Sequence, residues 1–135
     1  MADRNYVIAL DSGTQSVRAV LFDRTGGVVA LAQAPHEPYF SLHPGWAEQS
    51  PDDYWSKLCR VTNELMKKIT VDPREIAGIG ITTQRGTFVP VDRQGTALRP
   101  AIIWLDERIN ENPPPLSMAA RAVFALAGQS SAIEY

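Results

Sequence analysis

The stretch YVIALDSGTQSVRAVLFD, residues 6–23, decides the fold. Two short apolar runs, Tyr6 to Leu10 and Val17 to Phe22, flank a polar connection from Ser12 to Ser16. Runs of this length bounded by turn-forming residues read as two strands joined by a loop. Asp23-Arg24-Thr25-Gly26-Gly27 follows, pairing an aspartate with glycines that accept positive φ, and it leads into a third run, Val28 to Ala32. The chain therefore opens on an antiparallel three-stranded meander, which excludes a purely alternating βα start.

Downstream, Pro35, Pro38 and Pro44 interrupt any ladder, and Trp46-Ala47-Glu48-Gln49 leads into Ser50-Pro51-Asp52-Asp53. Ser50 is suited to cap a helix, Pro51 to its first position, and Asp52 and Asp53 to its positive end. Tyr54, Trp55, Leu58, Leu65, Met66 and Ile69 recur at helical spacing, so a helix is expected from Pro51 to Ile69, with Lys67 and Lys68 at its solvated end. Ile76 to Thr82 alternates glycine with isoleucine and reads as a buried strand whose glycines admit close approach. A crossover through the helix places that strand parallel to the first, with both carboxyl ends facing one cleft. Phe88 to Val91 and Ala101 to Trp104 are expected to form a hairpin around Asp92-Arg93-Gln94-Gly95, a turn that echoes Asp23 to Gly26. Pro113-Pro114-Pro115 reads as an extended linker, Leu116 to Ala127 as a helix stopped at Gly128, and Ser130 to Tyr135 as no finished element. The result is an α/β chain with a mixed sheet.

At 135 residues, 44% hydrophobic and 21% charged, the chain has one domain's length and the apolar content for a core. A net charge of −2 gives no electrostatic footprint for nucleic acid or an anionic membrane. No apolar run approaches the roughly 20 residues of a membrane span. A single cysteine, Cys59, together with His36 and His43 forms no metal-ligand spacing, and a cytoplasmic location is expected. Cys59 reads as helix packing and the two histidines as solvent-facing loop residues.

Three clusters carry chemistry. Asp11-Ser12-Gly13-Thr14-Gln15-Ser16-Val17-Arg18 combines a carboxylate, a close-approach glycine, hydroxyl and amide donors and a cation. Such a loop can wrap phosphate: Gly13 lets amides turn inward, Thr14, Gln15 and Ser16 donate to phosphoryl oxygens, and Asp11 can hold magnesium directly or through water. An ordinary polar hairpin has the same composition. The Walker and GxGxxG signatures are absent. Thr82-Thr83-Gln84-Arg85-Gly86-Thr87 follows the Ile76 strand, where a polar cluster at a strand's carboxyl end suggests a ligand site. In Trp104-Leu105-Asp106-Glu107-Arg108 an indole beside a carboxylate suits a polyol, and a helix start behind a core tryptophan is the structural alternative.

With these clusters in this order, the chain resembles the beginning of an FGGY-family carbohydrate kinase, the family of glycerol, xylulose, gluconate and ribulose kinases. IALDSGTQSVRAVLFD is similar to the family's first phosphate segment, PGWAEQSPDDYW to its loop into the first helix, IGITTQR to its next strand, and PAIIWLDER to its substrate-side segment. The resemblance implies an actin-like, ribonuclease-H-like fold, with ATP and magnesium on one side of a cleft and a sugar or polyol within it. Residues 1–135 would be part of the N-terminal domain of a truncated enzyme, with the C-terminal domain and the general base beyond Tyr135. Asp11 would sit near magnesium and the phosphates, and Gly13, Thr14, Gln15, Ser16 and Arg18 would line the phosphate loop. Gln84 belongs to the substrate side, where Arg85, Trp104 and Asp106 would contact the sugar. Glycerol kinases carry Arg-Glu and xylulose kinases Met-His where this chain has Arg85-Gly86, so the sugar stays open, as does a homo-oligomer.

Other classes make different demands. A two-metal nuclease on this fold needs several carboxylates converging on Asp11, whereas the Ile76 strand ends in Thr82, Thr83 and Gln84. A non-catalytic sugar- or nucleotide-binding module needs only half the cleft. An actin-like ATPase shares the phosphate loop without resembling PAIIWLDER.

Overall fold

The computed structural model describes residues 4–109 and 115–127. Strands β1 (Tyr6–Ser12), β2 (Ser16–Asp23) and β3 (Val28–Pro35) form the expected antiparallel meander. A two-residue strand β4 (Glu48–Gln49) precedes helix α1 (Pro51–Lys68), and a 3₁₀ turn (Pro73–Glu75) leads into β5 (Ile76–Thr82). β6 (Ala101–Ile102) and helix α2 (Met118–Leu126) follow. The main sheet runs β3-β2-β1-β5, and β5 lies parallel to β1. The carboxyl ends of β1 and β5 therefore stand side by side. The expectations for Pro113 and Pro114, for the stop at Gly128 and for Ser130 to Tyr135 lie outside the described residues.

One face of the sheet carries the core. Ile8 and Leu10, Val17, Ala19 and Leu21, and Ala32 and Ala34 alternate inward and pack with Val61 and Leu65 of α1. Small alanines on β3 let the helix lie close. Two turns share one construction: the carboxylates of Asp23 and Asp92 each accept amides two and four residues on, with Gly26 and Gly95 at positive φ.

Several expectations are corrected. β5 is not buried: Ile79 and Ile81, register partners of Ile8 and Leu10, are 59% and 62% exposed. α1 packs on β2 and β3, and a helix about 10 Å across covers only about two strands spaced roughly 4.8 Å apart. Nothing among the described residues approaches within 4 Å of where a Cβ on Gly78 or Gly80 would stand. The second hairpin is reduced to single bridges, Phe88 with Ile102 and Val91 with Ala97, because Pro90 and Pro100 remove ladder donors. β6 pairs instead with β4. Ser50 makes no side-chain cap. Lys68 is not simply solvated, since its Nζ donates to the Leu31 carbonyl at 2.8 Å. His36 is not solvent-facing: its side chain is fully buried, with Nδ1 2.7 Å from Asp53 Oδ2 and its ring edge-on to Tyr54. β3 runs long enough to deliver His36 against the first turn of α1.

Candidate functional site

Sheet register places Asp11 between two partners on the face opposite the core. Arg18 lies across the antiparallel ladder and Thr82 across the parallel one. Arg18 Nη1 donates to Asp11 Oδ2 at 3.0 Å, and Thr82 Oγ1 donates to Oδ1 at 2.8 Å. The carboxylate remains half exposed, and therefore accessible to a hydrated cation.

The loop after β1 is clamped from four directions. Gly13 N–H donates to the Ser16 carbonyl, and His36 N–H to the Gln15 carbonyl. Gln49 Nε2 donates to the Thr14 carbonyl at 3.0 Å, and Gln84 Nε2 to the Gly13 carbonyl at 3.0 Å. The Thr14 hydroxyl donates to Gln84 Oε1 at 3.1 Å and accepts from the Trp104 indole at 3.0 Å. Ser16 Oγ accepts from Gln33 Nε2 at 3.1 Å. Buried Gln49 is in turn held by the Tyr54 hydroxyl at 2.8 Å, while burial raises the Tyr54 pKa. Local sequence gives Gln49, Tyr54 and His36 no part in this loop, because the partners that bring them to it lie on other elements.

Two of the three clusters, joined by Trp104 from the third, meet in one hollow. A cavity of about 550 Å³ is bounded by Asp11 to Thr14, by Thr83 to Gly86 and by Trp104. A smaller one of about 280 Å³ is bounded by Gly13 to Ser16, Arg18 and again Trp104. Gly86 has φ of +68°, and a Cβ there would stand 3.3 Å from Trp104 Cβ, so the left-handed glycine lets the loop after β5 approach the tryptophan. Trp104 is not a core residue: it is 59% exposed and lines both hollows.

Asp106 stands apart. Its side chain is 4% exposed; Oδ2 accepts from Ala47 N–H at 2.8 Å, and Oδ1 accepts from Arg108 Nε at 2.6 Å. The Arg108 guanidinium holds the Asp106 pKa down at about 2 against the effect of burial. Arg108 also pairs with buried Glu48 at 2.9 Å and lies over the Trp46 ring, and Arg99 pairs with Glu48 as well. Burial alone would raise the Glu48 pKa, but the two guanidinium groups lower it overall. This network joins β4, the segment leading into β6 and the turn that carries Trp104, and Asp106 is buried within it rather than lining either hollow. Residues 105–109 form no helix, which also removes the capped-helix alternative.

A meander continued by a parallel strand, with polar loops gathered at the strand ends, is the arrangement shared with carbohydrate kinases of the actin-like fold. Xylulose kinase from Rhodospirillum rubrum superposes with a TM-score of 0.70 at 36% identity, over 78% of this chain and 22% of that one. Plasmodium falciparum glycerol kinase, solved with ADP, superposes with a TM-score of 0.66 at 27% identity, over 96% and 24%. The N-terminal domain of the FGGY family of carbohydrate kinases matches residues 6–125, and the chain belongs to that family. Glycerol kinase from Carboxydothermus hydrogenoformans is 46% identical over 102 residues, which are 75% of this chain and 20% of that protein. The chain thus spans about a fifth of the length of the glycerol kinases it matches. Among the described residues no helix is long and apolar enough to cross a membrane.

Proposed function

We propose that this chain is the N-terminal portion of an ATP-dependent carbohydrate kinase, acting in the cytoplasm, that transfers the γ-phosphoryl group of ATP to a hydroxyl of a sugar or polyol. The observation that carries the reading is the junction at Thr14, where one hydroxyl ties the loop after β1 to Gln84 and to Trp104. Residues of that loop and the tryptophan border the same cavity, which supports a phosphate side and a polyol side of one site. Gly13, Thr14, Gln15, Ser16 and Arg18 line the phosphate side. Gln84, Arg85 and Trp104 face the polyol, the indole covering aliphatic carbon and the guanidinium donating to hydroxyl oxygens. Asp106 serves this side by holding the Trp104 turn.

A half-exposed carboxylate is a hard oxygen ligand suited to magnesium shared with substrate phosphates, so Asp11 fits that role, directly or through water. Bound magnesium supplies neutralisation of charge on the phosphate oxygens. In the transfer, the substrate hydroxyl oxygen bonds to the γ-phosphorus, the bond to the β–γ bridging oxygen breaks, and ADP leaves. The hydroxyl proton goes to a base outside these residues. This half of the cleft contributes positioning and electrostatic stabilisation.

The test is ADP release by the complete protein against glycerol, D-xylulose, D-ribulose, D-gluconate and related polyols and ketoses. Turnover that depends on one of these substrates supports the reading. Nucleotide hydrolysis indifferent to all of them places the protein with actin-like ATPases, and binding without turnover makes it a non-catalytic module.

A further inference from the structure

Trp104 borders both hollows, and its only polar atom is committed to Thr14. The Thr14 hydroxyl accepts from the indole in turn and directs its one proton at Gln84 Oε1. Gln84 completes the connection: Oε1 also accepts from Thr87 Oγ1 at 2.9 Å, while Nε2 holds the Gly13 carbonyl. Three loops that begin at β1, β5 and β6 are thus locked through one hydroxyl and one amide. Behind them, the buried Glu48, Arg108 and Asp106 network holds the turn carrying Trp104. Movement of the indole by a ligand on its face cannot leave Thr14 unaffected, because the hydrogen bond is directional and the hydroxyl has a single proton to redirect.

Resting on the kinase reading above, we propose that Trp104 and Gln84 are positioning residues that act through the Thr14 hydroxyl, so that a polyol seated against the indole and a phosphoryl group on the loop after β1 bind cooperatively. Each ligand favours one orientation of the same hydroxyl, so the first to bind sets it for the second. Trp104→Phe retains an aromatic face for the polyol but removes the N–H, separating the stacking role from the coupling role. Thr14→Ser keeps the hydroxyl, whereas Thr14→Val removes it at nearly the same volume.

The experiment is calorimetric titration of the complete protein with the tightest-binding member of the substrate panel. It is run with and without a non-hydrolysable ATP analogue and magnesium. Wild type is expected to bind the polyol about tenfold tighter when the analogue is present, within the usual range of coupling. In Trp104→Phe and Thr14→Val the factor, read as the ratio of polyol affinities with and without the analogue within each variant and whatever that variant's own affinity, falls to about one. Thr14→Ser restores most of the factor, a rescue that general loosening of the fold would not produce. The inference is overturned if wild type binds the two ligands independently, or if Trp104→Phe retains the full factor. A complete protein that binds none of the panel, with or without nucleotide, overturns the kinase reading itself.

Discussion

Thr82 Oγ1 donates to Asp11 Oδ1 at 2.8 Å across the parallel β1/β5 ladder, where the two residues are register partners 71 positions apart in the chain. Neither strand end alone makes a site. The crossover through α1 brings the second strand beside the first, and the ladder then sets the carboxylate between a hydroxyl and the Arg18 guanidinium. Asp11 is oriented while still facing solvent, which is what a ligand shared with phosphate oxygens requires.

Asp11→Asn keeps an oxygen acceptor for Thr82 and removes the charge. In the complete protein, kcat is expected to fall about 100-fold, because charge on the transferring phosphoryl group changes during reaction. Polyol affinity should stay within about twofold. Steady-state kinetics with parallel calorimetry checks both, and an equal loss in kcat and polyol affinity would count against the assignment.

Asp106 carries an acid-dependent contribution to stability. Its folded-state pKa of about 2 lies below the ordinary 3.8, so the contribution is complete above about pH 4 and is lost as pH falls toward 2. A depression of this size is worth about 2 kcal/mol. Urea midpoints measured from pH 6 to pH 2 should fall more steeply for wild type than for Asp106→Asn. Asp106→Ala strands part of Arg108 and the Ala47 amide, and a cost of about 3 kcal/mol is expected.

The isolated 135 residues should self-associate, or pack loosely, along β5. Among the described residues that strand is one of the two edges of the sheet and its Ile79 and Ile81 are exposed, a template for pairing with another chain. Light scattering and hydrogen exchange read this directly. A monodisperse monomer with amide protection along Ile76 to Thr82 equal to that of β2 would contradict it.

The same isolated residues should release no ADP in a sugar-dependent way and should bind ATP poorly. On the kinase reading proposed above they would supply a phosphate loop and one wall of a cleft, which by themselves do not position an acceptor hydroxyl for transfer. Measurable polyol-dependent turnover by this piece would refute the expectation.

Much of the architecture is written locally. The three-strand opening follows from short apolar runs punctuated by Asp23 to Gly27, and α1 from Pro51, two acids and a helical apolar stripe; both came out with ends moved by a few residues. The two aspartate-glycine turns were legible because an aspartate bonds its own backbone within four residues. Strand order and the meeting of the Asp11 and Gln84 loops also followed, since a crossover helix leaves few ways to place a second parallel strand, whereas only the family resemblance brought the Trp104 segment to the same cleft.

The rest depended on partners far away in sequence. His36 and Gln49 sit in a proline-rich, polar stretch that reads as solvated loop, and they are buried because Asp53, Tyr54 and the Thr14 carbonyl come to meet them. Asp106 beside Trp104 has the composition of a polyol contact, yet Arg108 and the Ala47 amide take up its oxygens once β4 pairs with β6. Composition announces that a carboxylate, an amide or an imidazole is available. Whether it faces a ligand or another side chain is set by which donors the folded chain brings within about 3 Å, a distance that sheet register and helix packing fix and local sequence does not.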